Sequence, residues 1–470
     1  MSRKFQIKTV PSTWLENNGR RLDCGPYLSG AMEAKEKLRA LKAKKDPLES
    51  LMEGIFHAGR ESRLWVDTKE HGVEFLSSSE IQLADLSFLP LISKKQVASN
   101  PNFTIRQNWT LITRSGTIGR MAYARPDLDG FACSEHVMRV APNNEKVLPG
   151  YIFAYLSSKF GVPLIVSGTY GSIIQSIEPH HISELPVPRL ENVEKEAHDL
   201  IQKSANLRVE ASAQLKEASL SYLASAGIDD ITAEYWRSHA RQIGFTSSVS
   251  MSSLRAMNYL PINQQIESSI REKCTSWKPL IDLVEPGTLR SGPRFKRIDS
   301  EPEFGVELIG QGECFNLRPS GRWIAKKYLP NDQLLFPPDG AVMIAAQGCA
   351  GEHDLFGRAQ FITGKRLNYA YSQHFLRVIA DESQIPRGAL FAYLNSQIAY
   401  RIRKGYQIGS MQQDFHPDMI KQMPVPIIDR AEAEKIDAAV RSAYKKFDDA
   451  IDAEDEAIAL VERAIENGGR

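Results

Sequence analysis

The chain has 470 residues, and at 42% hydrophobic and 24% charged it has the make-up of a globular protein with room for more than one core. Its 58 basic and 57 acidic side chains leave a net charge of +1. That balance neither supports nor excludes DNA binding, because a neutral chain can carry a basic face opposite an acidic one.

No apolar run reaches the roughly 18 residues that a membrane span needs, and the opening MSRKFQIKTV lacks the apolar core of a signal peptide, so a cytoplasmic location is expected. Cys24, Cys133, Cys274, Cys314 and Cys349 are scattered without a CxxC pair, which points to no zinc site and no disulfide framework. Residues 1–46 read as an N-terminal arm with a polar helix in Ala31 to Lys45. A first domain over 47–190 follows. Gly72 to Leu76 reads as an apolar strand, and Asn108 to Ala124 as strand, turn and strand around Ser115, Gly116 and Gly119. Phe131 to Val140 alternates and is expected to be one further strand, while Leu148 to Ser158 is apolar at helical spacing. Next come a glycine-rich loop, Gly168 to Ser172, and a short helix from Pro179 that Leu185-Pro186-Val187-Pro188 stops.

Residues 191–225 then carry no proline, and Leu200, Leu207, Ala211, Leu215, Ala218 and Tyr222 keep near a seven-residue rhythm. Residues 226–278 read as a linker and the entry to a second domain over 279–428, whose most basic stretches are Leu289 to Arg297 and Leu317 to Tyr328. A second long helix over 429–467 has a cleaner seam through Ile436, Val440, Tyr444, Phe447, Ile451, Ile458, Val461 and Ile465. The two seams predict an intramolecular two-helix coiled coil.

The chain repeats itself. Cys133 to Leu190 and Tyr371 to Ile428 align without a gap at an offset of 238, with 18 of 58 positions identical. Ser134, His136, Arg139 and Val140 answer Ser372, His374, Arg377 and Val378. Gly150 and Phe153 to Leu156 answer Gly388 and Phe391 to Leu394, and Pro186-Val187-Pro188 answers Pro424-Val425-Pro426. Upstream, Tyr27-Leu28 and Pro47-Leu48 answer Tyr259-Leu260 and Pro279-Leu280 at an offset of 232, so the second copy gains about six residues before Tyr371. Chance does not hold such a register; the chain is an internal duplication.

Catalytic signatures are missing. There is no GxxxxGK(S/T) loop, no GxGxxG opening a helix, no HExxH and no GxSxG. Phe336-Pro337-Pro338-Asp339 only superficially resembles the amino-methyltransferase tetrapeptide, because it lacks both the amide before the prolines and the aromatic after them. The recurring His136 and His374 read as structural histidines in mid-strand. The chain is expected to bind and not to catalyse.

A strand ending in Thr113-Arg114-Ser115-Gly116 with Ile118-Gly119, then SxHxxRV, a GYxxxYLxS helix, a glycine-serine loop and LPVPxLEN before a long helix together resemble the target recognition domain of type I restriction-modification specificity subunits. Departures are Gln347-Gly348-Cys349-Ala350-Gly351 in place of the SGTIG turn, and Pro188 to Asn192 and Pro426 to Arg430 in place of the family's usual PPLxEQ. The resemblance implies an α+β fold: two tandem recognition domains held apart by two long antiparallel coiled-coil helices. A 35-residue helix is about 50 Å long, against roughly 34 Å for one DNA turn. It implies a non-catalytic subunit in which each domain reads one half of a bipartite site in double-stranded DNA, through the major groove. Implied partners are two methyltransferase subunits, which bring S-adenosylmethionine, and a restriction translocase that uses ATP; no cofactor is expected in this chain. As readers the resemblance suggests Arg106, Gln107, Arg114, Arg120, Ser172 and Gln175 in the first domain. In the second it suggests Arg294, Lys296, Arg297, Arg322, Lys326, Ser410, Gln412 and Gln413. Arginine and glutamine offer paired donors to base edges and lysine neutralises phosphate. The alternative is a protein-interaction scaffold in which the coiled coil is the working part.

Overall fold

A computed structural model describes residues 7–167, 176–240, 244–248 and 253–469. The fold is α+β, and the chain divides into two compact units. One comprises residues 1–209 with 449–470 and the other residues 210–448, so the division crosses both long helices, Asn192–Ser225 and Arg430–Glu466. No helix of the described residues is long and apolar enough to cross a membrane.

In the first unit an antiparallel sheet runs in the order Met52–Phe56, Val137–Pro142, Thr110–Thr113, Met121–Tyr123. The two central strands, VMRVAP and TLIT, are buried at every position, as strands with both faces covered must be. A second sheet orders Trp65–Val66, Leu91–Ser93, Gly72–Leu76 and Ala132–Cys133, the last pair parallel. The stretch expected to be one strand from Phe131 to Val140 is therefore two, one in each sheet. A turn at Glu135-His136 separates them, with Ser134 O accepting from the Val137 amide. His136 sits on that turn and not in mid-strand.

The second unit repeats the first sheet strand for strand as Arg290–Ser291, Phe375–Val378, Ala341–Ala345 and Ala359–Ile362. Its other sheet is shorter, with Arg322–Ala325, Gly305–Ile309 and Ala370–Tyr371, again with the last pair parallel. The extra six residues now have a place. Between the hairpin strands lie residues 114–120 in the first unit and 346–358 in the second, seven against thirteen. The longer turn is tied down: Arg401 Nη1 donates to Glu352 Oε2 at 2.6 Å, and Lys404 Nζ donates to Gly351 O at 3.0 Å.

The Pro-Val-Pro segments do more than stop a helix. Pro186–Pro188 pairs with Lys45–Pro47 and Pro424–Pro426 with Trp277–Pro279, each antiparallel. Proline is tolerated there because each ribbon has only two strands and an unpaired edge.

The second long helix buries the seam its heptads suggested, with Ile436, Val440, Tyr444, Phe447, Val461 and Ile465 buried, while the first follows its rhythm only in part, through Ala211, Ala218 and Tyr222. Leu200, Leu207 and Leu215 are half-buried, whereas Ala197, Ile201, Ser204 and Ala205 are buried. In the first unit Ala197, Ile201 and Ala205 share a core with Ala457, Val461, Ala464 and Ile465, and Ser204 Oγ donates to Ala450 O at 2.8 Å. Small side chains let two backbones approach closely enough for such a bond, which a leucine seam would not. In the second unit Glu210, Gln214 and Tyr222 meet Lys446, Ala439 and Pro426 in descending order, which is antiparallel pairing.

Candidate functional site

The turn that carries the repeated histidine is built alike in both units. An arginine three residues later, Arg139 or Arg377, is fully buried on the following strand and donates back into the turn. Arg139 reaches Ser134 O at 2.8 Å and Val137 O at 2.6 Å; Arg377 reaches Ser372 O at 3.1 Å and Phe375 O at 3.0 Å. With its base fixed, the turn sends the imidazole outward. There the neighbouring hairpin meets it. Ser115 Oγ lies 2.6 Å from His136 Nδ1, and Gln347 Oε1 bonds His374 Nδ1. Ser115 and Gln347 are equivalent positions at the 232 offset, so the departure from the SGTIG turn exchanges one histidine partner for another.

A segment after the edge strand completes the constellation. Phe56 faces Arg139 across the ladder as Arg290 faces Arg377. Counting on from those two residues puts Arg60 opposite Arg294 and Arg63 opposite Arg297, an RxxR in each copy. In the first unit Arg60, Glu61, Ser62, Arg63, Trp65, Glu135 and His136 line an open cleft of 570 Å³. Trp65 is 52% exposed at its edge. In the second unit the strand pairing of Ser291 with Leu376 leads the following residues toward the His374 turn, and burial, then the fields of Arg297 and Arg294, hold the His374 pKa below its usual 6.5 against the pull of Asp414.

The two constellations differ in charge. Arg63 Nη2 donates to Glu135 Oε2 at 2.8 Å and stacks on Phe75 at 4.9 Å. Burial pushes the Glu135 carboxyl up, but the hydrogen bond and charge of Arg63, a backbone hydrogen bond and the field of His136 together outweigh it, and the pKa stays below the usual carboxylate value. Where the first unit has Glu61, Ser62 and Glu135, the second has Phe295, Lys296 and Gln373. Two arginines against two carboxylates thus become three cations, with Asp414 the carboxylate acting on His374. No carboxylate is ion-paired with Arg294, Lys296 or Arg297 among the described residues. An array of this kind can take up phosphate oxygens and acceptor atoms of base edges. Among the described residues no group of three or more His, Cys, Asp or Glu side chains could hold a metal ion.

The suggested readers divide. Arg294, Lys296 and Arg297 lie in this constellation. Ser410 and Gln412 are exposed on the loop beside it, but Gln413 is buried, donating to Ser410 O and accepting from Arg255 Nη1 at 3.0 Å. Arg114 is committed inside its domain: Nε donates to Ile177 O at 2.9 Å, Nη1 to Glu135 O at 3.2 Å, and Nη2 pairs with Glu178. Arg106 stands apart, 60% exposed and 3.7 Å from Asp129, which also accepts the Gln107 amide at 3.0 Å. Arg120 is exposed on the hairpin turn, Arg322 pairs with Asp299, and Lys326 is exposed after the strand Arg322–Ala325. Ser172 and Gln175 lie outside the described residues. Sequence reasoning missed Arg60, Arg63, Trp65 and the presentation of His136. The signal was present in GRESRLWV, a basic stretch closed by an aromatic, but Glu61 between its two arginines diluted its charge.

No protein-family model matches the chain, and no curated protein does. Among solved structures, the S subunit of a type I restriction-modification system from M. genitalium is 12% identical, with 91% of this chain and 96% of that one covered and a TM-score of 0.36. The HsdS subunit from Thermoanaerobacter tengcongensis is 14% identical over 91% and 96%, with a TM-score of 0.26. A structure described as showing complex assembly and conformational transition of the type I restriction-modification system is 13% identical over 91% and 97%, also at 0.26.

Proposed function

We propose that the chain is a sequence-specific DNA-recognition subunit whose two units each read one half of a bipartite site. Methyl transfer belongs to partner subunits in this reading, two methyltransferases that bind S-adenosylmethionine, and restriction to a translocase that consumes ATP. The single observation that carries the reading is the constellation built twice: an RxxR segment beside a histidine whose turn is fixed by a buried arginine and braced by a hairpin. A duplicated fold keeps its core for packing reasons alone, but RxxR segments beside half-exposed histidines at equivalent positions, the second of them without the first's glutamates, serve no core. The order of motifs along the sequence supports the same family of function.

The test measures DNA affinity against salt for the chain with its methyltransferase, on sites mapped by methylation in cells. Each neutralised phosphate adds about 0.9 to the slope of log affinity against log salt. Arg294→Gln with Arg297→Gln is expected to lower the slope by about 1.8. Arg60→Gln with Arg63→Gln lowers it by less, because Arg63 is already paired with Glu135. Mapped sites should consist of two specified elements around an unread spacer. One contiguous motif, or a slope unmoved by both pairs, overturns the proposal.

A further inference from the structure

Resting on the DNA-reading proposal above, we propose that Met411 determines specificity in the second unit by packing against the 5-methyl group of a thymine in the major groove. Met411 is 90% exposed at the tip of a hairpin whose short strands pair Gln407 with Phe415 and Ile408 with Asp414. A lone exposed apolar side chain is ordinary; an exposed one on a fully anchored loop is not. Gly409 has φ +97°, and a Cβ there would collide with Gln412 O. Gln413 N donates to Gly348 O at 2.8 Å and Gly348 N to Gln413 O at 3.3 Å. Arg255 Nη1 donates to Gly409 O at 2.5 Å and to Gln413 Oε1 at 3.0 Å. The tip is held in shape before any partner arrives, so little ordering cost falls on binding.

Its place and its chemistry agree. Asp414, next to the loop, accepts from Gln347 Nε2 at 3.2 Å, and Gln347 braces His374 within the basic constellation. The loop therefore leaves the fold at the same junction as Arg294 and Arg297. Ser410 and Gln412, both exposed, flank the thioether with groups that hydrogen-bond base edges. The thymine methyl is the apolar feature of the major groove, and methionine is the most adaptable side chain to meet it. One apolar residue between two polar ones is far smaller than the apolar patch of a few hundred Å² that marks a protein-docking surface.

The experiment binds the complex of chain and methyltransferase to its mapped site, with each thymine of the second half-site replaced in turn by uracil, which removes the methyl and nothing else. At one position wild type is expected to lose affinity about fourfold, the worth of one buried methyl group. Met411→Ala should lose at least as much on thymine DNA and show no further loss on uracil DNA. Specific binding that no uracil weakens, or losses that multiply independently in the double change, overturns the Met411 assignment alone. Uniform weakening by Met411→Ala on all sequences also overturns it and marks a wedge between base steps. Absence of any site-specific binding by wild type overturns the DNA-reading proposal beneath it.

Discussion

Arg139 and Arg377 carry charges into the core, and among the described residues neither forms an ion pair with a carboxylate. Each guanidinium is surrounded by main-chain carbonyls, and Arg377 also donates to Leu334 O at 2.7 Å and Tyr371 O at 2.9 Å. Burial pulls the Arg377 pKa down to about 10, with Asp332 pulling the other way, and lowers that of Arg139 for the same reason. Removing such a hub leaves several buried carbonyls unpaired at about 1–3 kcal/mol each. Arg377→Met is therefore expected to cost at least about 3 kcal/mol in urea unfolding, whereas Arg297→Gln, outside the core, stays within about 0.5 kcal/mol. Equal losses for the two would mean the carbonyl cage contributes nothing. The recurrence of SxHxxRV marked this arginine as special. Its letters did not tell a core staple from a DNA reader, because both jobs favour five donors in a fixed fork; burial made the distinction. Arg114 and Gln413 were opaque for the same reason.

Glycines shared by the two copies show how the helices are seated. Pro149–Ser157 and Arg387–Asn395 each begin against a long helix at Gly150 and Gly388. A Cβ on Gly150 would stand 2.9 Å from the backbone of His198, and one on Gly388 would stand 2.9 Å from Cα of Asp437. The same helix residues satisfy the glycine amides: Gly150 N donates to His198 Nδ1 at 3.1 Å and Gly388 N to Asp437 Oδ1 at 2.5 Å. His198 and Asp437 are unrelated side chains doing one job at equivalent positions, so letter matching could not pair them. Gly150→Ala and Gly388→Ala should each destabilise by about 1–3 kcal/mol through overpacking, read from thermal or urea unfolding. Gly312→Ala, where a Cβ meets nothing within 4 Å, is the control, and a loss there equal to the other two would remove the seating argument. Helix existence and hairpins were legible from period and turn residues. The burial face of the first long helix was legible only in part: Ala211, Ala218 and Tyr222 are buried as its rhythm suggested, but close packing selected Ala197, Ile201, Ser204 and Ala205 in place of its leucines.

Across the whole molecule the duplication was legible because register is a one-dimensional property, whereas the division between units was not, because it cuts both long helices. In the first unit His57, His181 and His198 all have pKa values held below 6.5, each chiefly by burial. The unfolded chain takes up those protons near 6.5 while the folded chain resists, so stability present above about pH 6.5 is lost as pH falls toward the depressed values. In the second unit burial likewise holds His374 low, while two other groups act in the opposite sense. Burial raises the pKa of Asp230 and of Glu267 above 3.8 and 4.5. A raised carboxyl protonates in the folded state first, so its contribution is full at low pH and fades as pH rises through the folded value. Between about pH 7 and pH 5 the first unit should therefore weaken more than the second. Hydrogen exchange reads this directly, once intrinsic rates are corrected for pH. Amides of Leu111 and Val140 should lose protection at the lower pH before their counterparts Met343 and Val378. The difference should shrink in His198→Gln, whose amide oxygen can still accept from Gly150 but takes up no proton in this range. Earlier opening of Met343 and Val378 would show that the charge cluster around His374, not the buried histidines of the first unit, governs acid sensitivity.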